Sequence, residues 1–272
     1  AKQRKLEKAA CSIDATLRDL PEVTSLQEET YQELIRVVKD SGDQEILRIN
    51  KANKEQEEYL TMWGHQIKTP ITALELMVQD MSANGEEVTL EYIDVLKDNL
   101  FQLEQYVDMT LQYIRYGTMN NDLTIKKYSL ERMVREAVKY FSRSFISKKI
   151  ALRMEIGEDN VITDEKWMIF VLKQILSNSL KYTTEGEIHI YTRKTDNTLE
   201  LCIEDTGIGV EAEDIPRLFE RGFTGYNGRK QKQATGLGLY LSKQVLDKLG
   251  NEIEIESESG RGCLVRVIYH TK

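Results

Sequence analysis

The stretch Glu165-Lys166-Trp167-Met168-Ile169-Phe170-Val171-Leu172-Lys173-Gln174-Ile175-Leu176-Ser177-Asn178-Ser179-Leu180-Lys181-Tyr182, preceded by Asp164, decides how this chain is read. Asp164 is a helix-capping residue whose carboxylate can accept from the free N–H groups of a first turn. The spacing of Trp167, Val171, Leu172, Ile175, Leu176 and Ser179 predicts a helix to about Tyr182 with one buried face. Gln174, Asn178 and Lys181 fall on another face, three and four residues apart. An amide oxygen can ligate Mg²⁺ and an ammonium can meet phosphate oxygens, so this stripe suits a metal nucleotide. A solvated helix face is the plainer alternative.

Around this helix the pattern alternates. Ser129 to Ser142 reads as helix and Lys149 to Ile156 as strand. Glu187 to Arg193 and Thr198 to Glu204 read as a hairpin across Asp196-Asn197, Gly236 to Leu249 as helix, and Glu252 to Glu258 as a strand pairing with Cys263 to Tyr269. Asp205-Thr206-Gly207-Ile208-Gly209 puts a carboxylate at a strand end beside backbone that can approach a ligand closely. Gly236-Leu237-Gly238-Leu239 opens a helix, whose free N–H groups form a natural phosphate site. Either loop alone could be an ordinary turn. The chain contains no GxxxxGK[ST] loop, and no GxGxxG opens its first strand–helix unit.

The N-terminal part reads as helix with breaks. Residues 1–58 are polar, interrupted by Pro21 and Ser41-Gly42, with a weak seam at Ile46, Ile49, Asn53, Gln56 and Leu60. Leu60, Gly64, Ile67, Ile71, Leu74, Val78 and Met81 continue it at alternating spacings of four and three. After a polar break from Ser82 to Glu87, Ile93, Leu96, Leu100, Leu103, Val107 and Leu111 resume the seam to about Tyr116. Two such helices form a hairpin but cannot close a core, so pairing of two chains into a four-helix bundle is expected. His65 lies one position past the seam and points to solvent, where a ring nitrogen could attack an electrophile. Pro70, one turn later, predicts a kink.

Composition bounds the function. A length of 272 residues allows about two domains at roughly 150 residues each, and 40% apolar content is enough for a core. A net charge of −8 argues against direct nucleic-acid binding. Cys11, Cys202 and Cys263 are too scattered for a disulfide framework or zinc site. No apolar run approaches the roughly 20 residues of a membrane span. Lys2, Arg4, Lys5 and Lys8 fit the cytoplasmic flank of a preceding membrane helix, or simply a basic helix start.

Taken in order, these segments resemble the boxes of bacterial sensor histidine kinases, over about residues 59 to 272. The resemblance makes His65 the phospho-accepting histidine and Asn178 the Mg²⁺-binding asparagine, with Lys181 and Tyr182 completing that box. It makes Asp205 the carboxylate that binds the adenine amino group, with Gly207 and Gly209 shaping the pocket. Phe219 and Phe223 match the start of an ATP lid, and Thr235, Gly236, Leu237 and Gly238 its phosphate-contacting end. It implies a multidomain chain: a linker at 1–58, an all-α dimerisation hairpin at 59–117, and a GHKL (Bergerat) α/β sandwich at 123–272. The implied cofactors are ATP and Mg²⁺, and the implied partners are a second copy and a response regulator. The Gly222-to-Arg229 lid opening and Trp63 look like Gram-positive membrane kinases that sense antimicrobial peptides or envelope stress. The full-length protein is then expected at the cell membrane, with this chain on the cytoplasmic side.

Two departures stand out. Many relatives carry an acidic residue after the histidine, where this chain has Gln66, a neutral amide that cannot take a proton. Gln174 replaces an asparagine, with a longer arm. Thr69 matches a position that in relatives orients water for dephosphorylation, or is a helix residue without that role. The rival functions are a conformational ATPase, a catalytically degenerate ATP-binding scaffold and a serine kinase on the same nucleotide fold.

Overall fold

A computed structural model describes residues 23, 25–84, 89–117, 119–225 and 236–270. The basic cluster Lys2, Arg4, Lys5 and Lys8, together with Cys11, Pro21, Arg229, Lys230, Lys232 and Thr235, lies outside the described residues. The chain divides into two units, Ala1–Gly64 and His65–Lys272.

Helix α1, Leu26–Asn84, supplies the first unit's helical residues and continues into the second. It passes through Ser41-Gly42, where the composition predicts an interruption. One interior glycine costs a helix about 1 kcal/mol, which a long helix-forming run on both sides outweighs. In the first unit Leu34, Val38, Ile46 and Ile49 are exposed.

In the second unit Pro70 lies inside α1 without ending it. The proline withholds the N–H that would reach the Gln66 carbonyl, while the Thr69 hydroxyl donates to the His65 carbonyl at 3.2 Å. Helix α2, Leu90–Tyr116, starts at Thr89, whose hydroxyl accepts from the Tyr92 N–H at 3.2 Å. The Tyr92 hydroxyl in turn donates to the Met77 carbonyl, joining the two arms of the expected hairpin. Seam residues Ile71, Val78, Leu100, Val107 and Leu111 are exposed.

After a short helix α3 (Met119–Asp122) come β1 (Ile125–Ser129), α4 (Leu130–Tyr140), α5 (Ser142–Lys148), β2 (Ala151–Glu155), β3 (Asn160–Asp164) and α6 (Glu165–Tyr182). They are followed by β4 (Glu187–Lys194), β5 (Thr198–Asp205), a 3₁₀ turn (Ile215–Arg217), α7 (Gly238–Lys248), β6 (Glu252–Glu258) and β7 (Gly262–His270). Five strands form one sheet in the order β2-β4-β5-β7-β6, with β2 parallel to β4 and the other pairs antiparallel. The core consists of Met133 and Val134 of α4, Met168 and Leu172 of α6, Leu241 and Val245 of α7, and the inward residues Ile188, Ile190, Leu201, Ile203, Val265 and Val267 of the strands. Alternate strand residues carry charge instead: Arg266 sits between Glu254 and Glu256 at 2.7 Å each. This is the expected two-layer α/β sandwich after a helical hairpin.

Several local expectations change. Ser129 is the cap of α4, accepting from the Arg132 N–H, and not its first helical residue. β1 and β3 pair antiparallel as a separate ribbon that no periodicity announces. The parallel β2–β4 pairing is likewise non-local.

Asp164 anchors α6 to this frame: one carboxylate oxygen accepts from the Trp167 N–H at 3.1 Å and the other from the Thr124 N–H at 2.7 Å. Asp164 is buried, and its bond to Trp167 is out of water while that to the exposed Thr124 is partly so. Asp164→Ala is expected to lower the unfolding free energy by about 2 kcal/mol. Urea denaturation checks this, and an unchanged midpoint contradicts the double anchor.

Candidate functional site

The C-terminal turn of α6 leaves backbone carbonyls without helical partners, and the loop after β5 meets them. The Ile208 N–H donates to the Tyr182 carbonyl at 3.1 Å, and the Ile208 carbonyl accepts from the Gly260 N–H at 2.8 Å. Asp205, the last residue of β5, pairs with Cys263 of β7. Gly262 has φ +102°, and a Cβ there would lie 1.9 Å from the Asp205 carbonyl oxygen, so only glycine lets β7 begin so close to β5.

The Asp205 side chain is buried. Its Oδ1 accepts from the Gly207 N–H at 3.0 Å, and Ser179 and the Cys263 N–H also hydrogen-bond to the carboxyl. Burial raises its pKa, and these donors pull it back. The neighbouring Cys263 thiol is pushed up to about 12, by burial first and by the Asp205 charge second.

Beside Asp205 opens a cavity of about 630 Å³, a size suited to a cofactor or nucleotide. Asn178, Lys181, Tyr182, Asp205, Gly209, Phe223, Gly236 and Gly238 all line it, although they come from four separate stretches of sequence. Phe219, Gly207 and Leu237 are not among its lining residues: Phe219 packs under Lys243, Gly207 serves the Asp205 carboxylate, and Leu237 is buried. Gln174 does line it, and a Cβ on Gly238 would lie 2.7 Å from its Oε1. The longer arm of Gln174 thus reaches the start of α7.

Gly222 and Gly236, on either side of the segment 226–235, are held together. The Gly222 N–H donates to the Gly236 carbonyl at 2.9 Å, and a Cβ on Gly236, at φ +62°, would fall 2.4 Å from the Gly222 carbonyl carbon. Arg217 lies 4.3 Å from the Phe223 ring centroid, holding that ring at the cavity edge.

Lys181 is half-buried and its pKa is lowered to about 8, by burial first and by the Lys148 charge second. Among the described residues no group of three or more His, Cys, Asp or Glu could cage a metal. A Mg²⁺ held at Asn178 would take most of its remaining ligands from phosphate and water.

His65, Gln66 and Thr69 are outside the cavity wall. His65 and Thr69 are exposed. The Gln66 amide oxygen accepts from the Tyr106 hydroxyl at 3.2 Å, so α2 fixes the residue after the histidine. The other histidines are engaged on the sheet: His189 with Glu155 at 3.2 Å and His270 with Glu252 at 2.9 Å.

Sequence reasoning missed part of the wall. Asp98, Phe101, Gln105 and Met109 of α2 line the cavity, as do Ser144, Ser147 and Lys148 of α5. The α2 set recurs every three or four residues off the seam, a second stripe that its mixed polarity obscures.

Residues 163–272 match the family of histidine kinase-, DNA gyrase B- and HSP90-like ATPases. The chain is 31% identical over 264 residues to the sensor protein BceS of Halalkalibacterium halodurans, covering 95% of this chain and 75% of that protein. It is 32% identical over 256 residues to the sensor protein kinase GraS of Staphylococcus aureus, covering 93% and 71%. Relatives of this kind are spanned over 65% to 75% of their length. The structure of histidine kinase ThkA in complex with the response regulator TrrA superposes with a TM-score of 0.56 at 19% identity, over 93% of this chain and 68% of that one, a likeness of fold.

Lys181 carries a charge that its surroundings disfavour, so Lys181→Met is expected to stabilise the nucleotide-free protein by about 1 kcal/mol. Because its folded pKa lies below the unfolded one, the gain is full below pH 8 and fades as pH rises from about 8 toward 10.5. Urea midpoints across that range check this, and a destabilised Lys181→Met protein contradicts it.

Proposed function

The chain belongs to the sensor histidine kinases, and from this premise we propose that it binds MgATP in the cavity beside Asp205, phosphorylates a ring nitrogen of His65, and passes the phosphoryl group to an aspartate of a response regulator. The observation that carries this reading is the convergence of Asn178, Lys181, Asp205 and Gly238 on one cavity. Residues 123–272 act as the ATP-binding domain, 59–117 as the dimerising and phospho-accepting hairpin, and 1–58 as the linker. The relative ThkA has been crystallised with a response regulator, which supports the same class of partner here.

ATP supplies the phosphoryl group and ADP as the leaving group. Asp205, held by its own donors, accepts from the adenine amino group. Asn178 offers an amide oxygen to Mg²⁺. Lys181 and the free N–H groups at the start of α7 offset phosphate charge. His65, exposed on its helix, attacks along the line of the departing ADP, and its ring proton passes to water. Gln66, bonded to Tyr106, is a positioning residue and no base; phosphoryl transfer relies mainly on positioning and charge. Since His65 is outside the cavity wall, the ATP domain must shift against the hairpin or serve the histidine of a second copy. The exposed seam of α1 and α2 fits a second copy, giving a four-helix bundle. A preceding segment would hold the full-length protein at the cell membrane, with this chain on the cytoplasmic side. Phosphatase action through Thr69 belongs to the same proposal.

Incubation with radiolabelled MgATP is expected to give a base-stable, acid-labile label that His65→Gln abolishes. Label surviving in that variant refutes the reading, and binding without any label leaves a degenerate scaffold. Asn178→Ala is expected to cut labelling by about 10–100-fold, and an unchanged rate removes its metal role. Val78→Asp with Val107→Asp is expected to convert a dimer to monomers in sedimentation. A persisting dimer contradicts the bundle.

A further inference from the structure

Lys148 closes helix α5 and lines the cavity together with Ser144 and Ser147 of the same helix and with Asn178 and Lys181 of α6. Its Nζ donates to the carbonyl of Leu180, the residue before Lys181. Two ammonium groups therefore share one part of the wall, near enough that the charge of Lys148 acts on Lys181. The carboxylates around them are committed elsewhere. Asp98 of α2 attracts Lys148 through space, yet its ion pair, at 3.7 Å, is with Arg143. Asp205 is held by Gly207, Ser179 and Cys263. Among the described residues neither lysine has a carboxylate within ion-pair distance. Lys181 is half-buried and Lys148 exposed; two like charges on one wall disfavour the empty fold, and an entering polyanion offsets them.

We propose that Lys148 is a second phosphate-binding cation of this cavity, which acts with Lys181 to take up a polyphosphate chain and so favours nucleoside triphosphates over uncharged nucleosides. The proposal rests on the nucleotide reading of the cavity and extends it. The sequence offers Lys181 as a charge partner; Lys148 adds one from the folded frame, about thirty residues upstream of Lys181 in sequence and fixed by a carbonyl bond. The competing role is structural. A lysine on a terminal helix carbonyl caps that helix whether or not anything binds.

The two roles separate on ligand charge. Calorimetric titration of the full chain with MgATP and with adenosine, at fixed salt, is compared for the parent, Lys148→Gln, Lys148→Met and Lys148→Arg. The expected result is about a tenfold loss of ATP affinity in Lys148→Gln and Lys148→Met, unchanged adenosine affinity, and near-parent ATP binding in Lys148→Arg. Lys148→Met keeps the aliphatic stem and so covers the case in which Lys148→Gln fails to fold. The proposal is overturned if ATP affinity is unchanged in the neutral variants, or if ATP and adenosine weaken equally, which marks a helix cap. A parent protein that binds no MgATP overturns the nucleotide reading itself. A parent that binds ATP while the substitutions are silent overturns only the role of Lys148.

Discussion

A carboxylate taken out of water must be given hydrogen-bond donors, and the burial of Asp205 organises the second half of this chain around that need. The donors come from the Gly207 loop, from Ser179 in α6 and from the first peptide of β7. Each brings its element with it. The loop that supplies Gly207 also bonds the last carbonyl of α6 through Ile208, which sets the rotation of that helix. With Ser179 turned to Asp205, the stripe of Gln174, Asn178 and Lys181 has to border the cavity. Gly262 then admits β7 at a distance that no side chain would permit.

The hairpin is tied to this frame by contacts of several kinds. Phe101 of α2 packs against Tyr140 and Phe141, with ring centroids 5.1 and 5.9 Å away. Arg143 reaches Asp94 at 3.0 Å, and Gln105 meets Ser177 at 3.3 Å. Tyr116 bonds Gln244 at 3.3 Å and lies under Lys248. One helix thus presents a mixed face to the cavity and an apolar face to solvent. The ion pair is exposed and worth little on its own, whereas the aromatic contacts bury more area. A surface of this mixed kind suits a contact that opens and closes, which is what the first of the two proposed routes to His65, a shift of the ATP domain, needs.

The parts legible in the sequence were those governed by local rules. Asp164 and the period of its helix, the two β-hairpins with their turn residues, and the glycine loops flanking the cavity could be read directly. The ribbon of β1 and β3 and the parallel pairing of β2 with β4 depend on residues far apart in sequence, and their short strands, with exposed residues such as Ile125 and Ile162, carry no clean alternation. The passage of α1 through Ser41-Gly42 shows length overriding a local breaker. Lys148 is illegible for a related reason: a lysine at the end of a short polar helix resembles any solvated terminus until the fold sets it beside Lys181. The α2 residues of the cavity wall mix Asp, Gln, Phe and Met, so polarity alone did not mark them as a face.

In the proposed function Asp205 reads the base of a bound nucleotide. In that role its carboxylate would accept from the amino group of adenine but meet a carbonyl oxygen on guanine, so discrimination between the two bases would follow from this one side chain. The most direct measurement is equilibrium binding of ATP and GTP, each with Mg²⁺, to the parent and to Asp205→Asn. The parent is expected to bind ATP in clear preference to GTP, and Asp205→Asn to lose about tenfold or more in ATP affinity, removing most of the preference. Equal binding of the two nucleotides by the parent, or parent-like ATP affinity in Asp205→Asn, would contradict it.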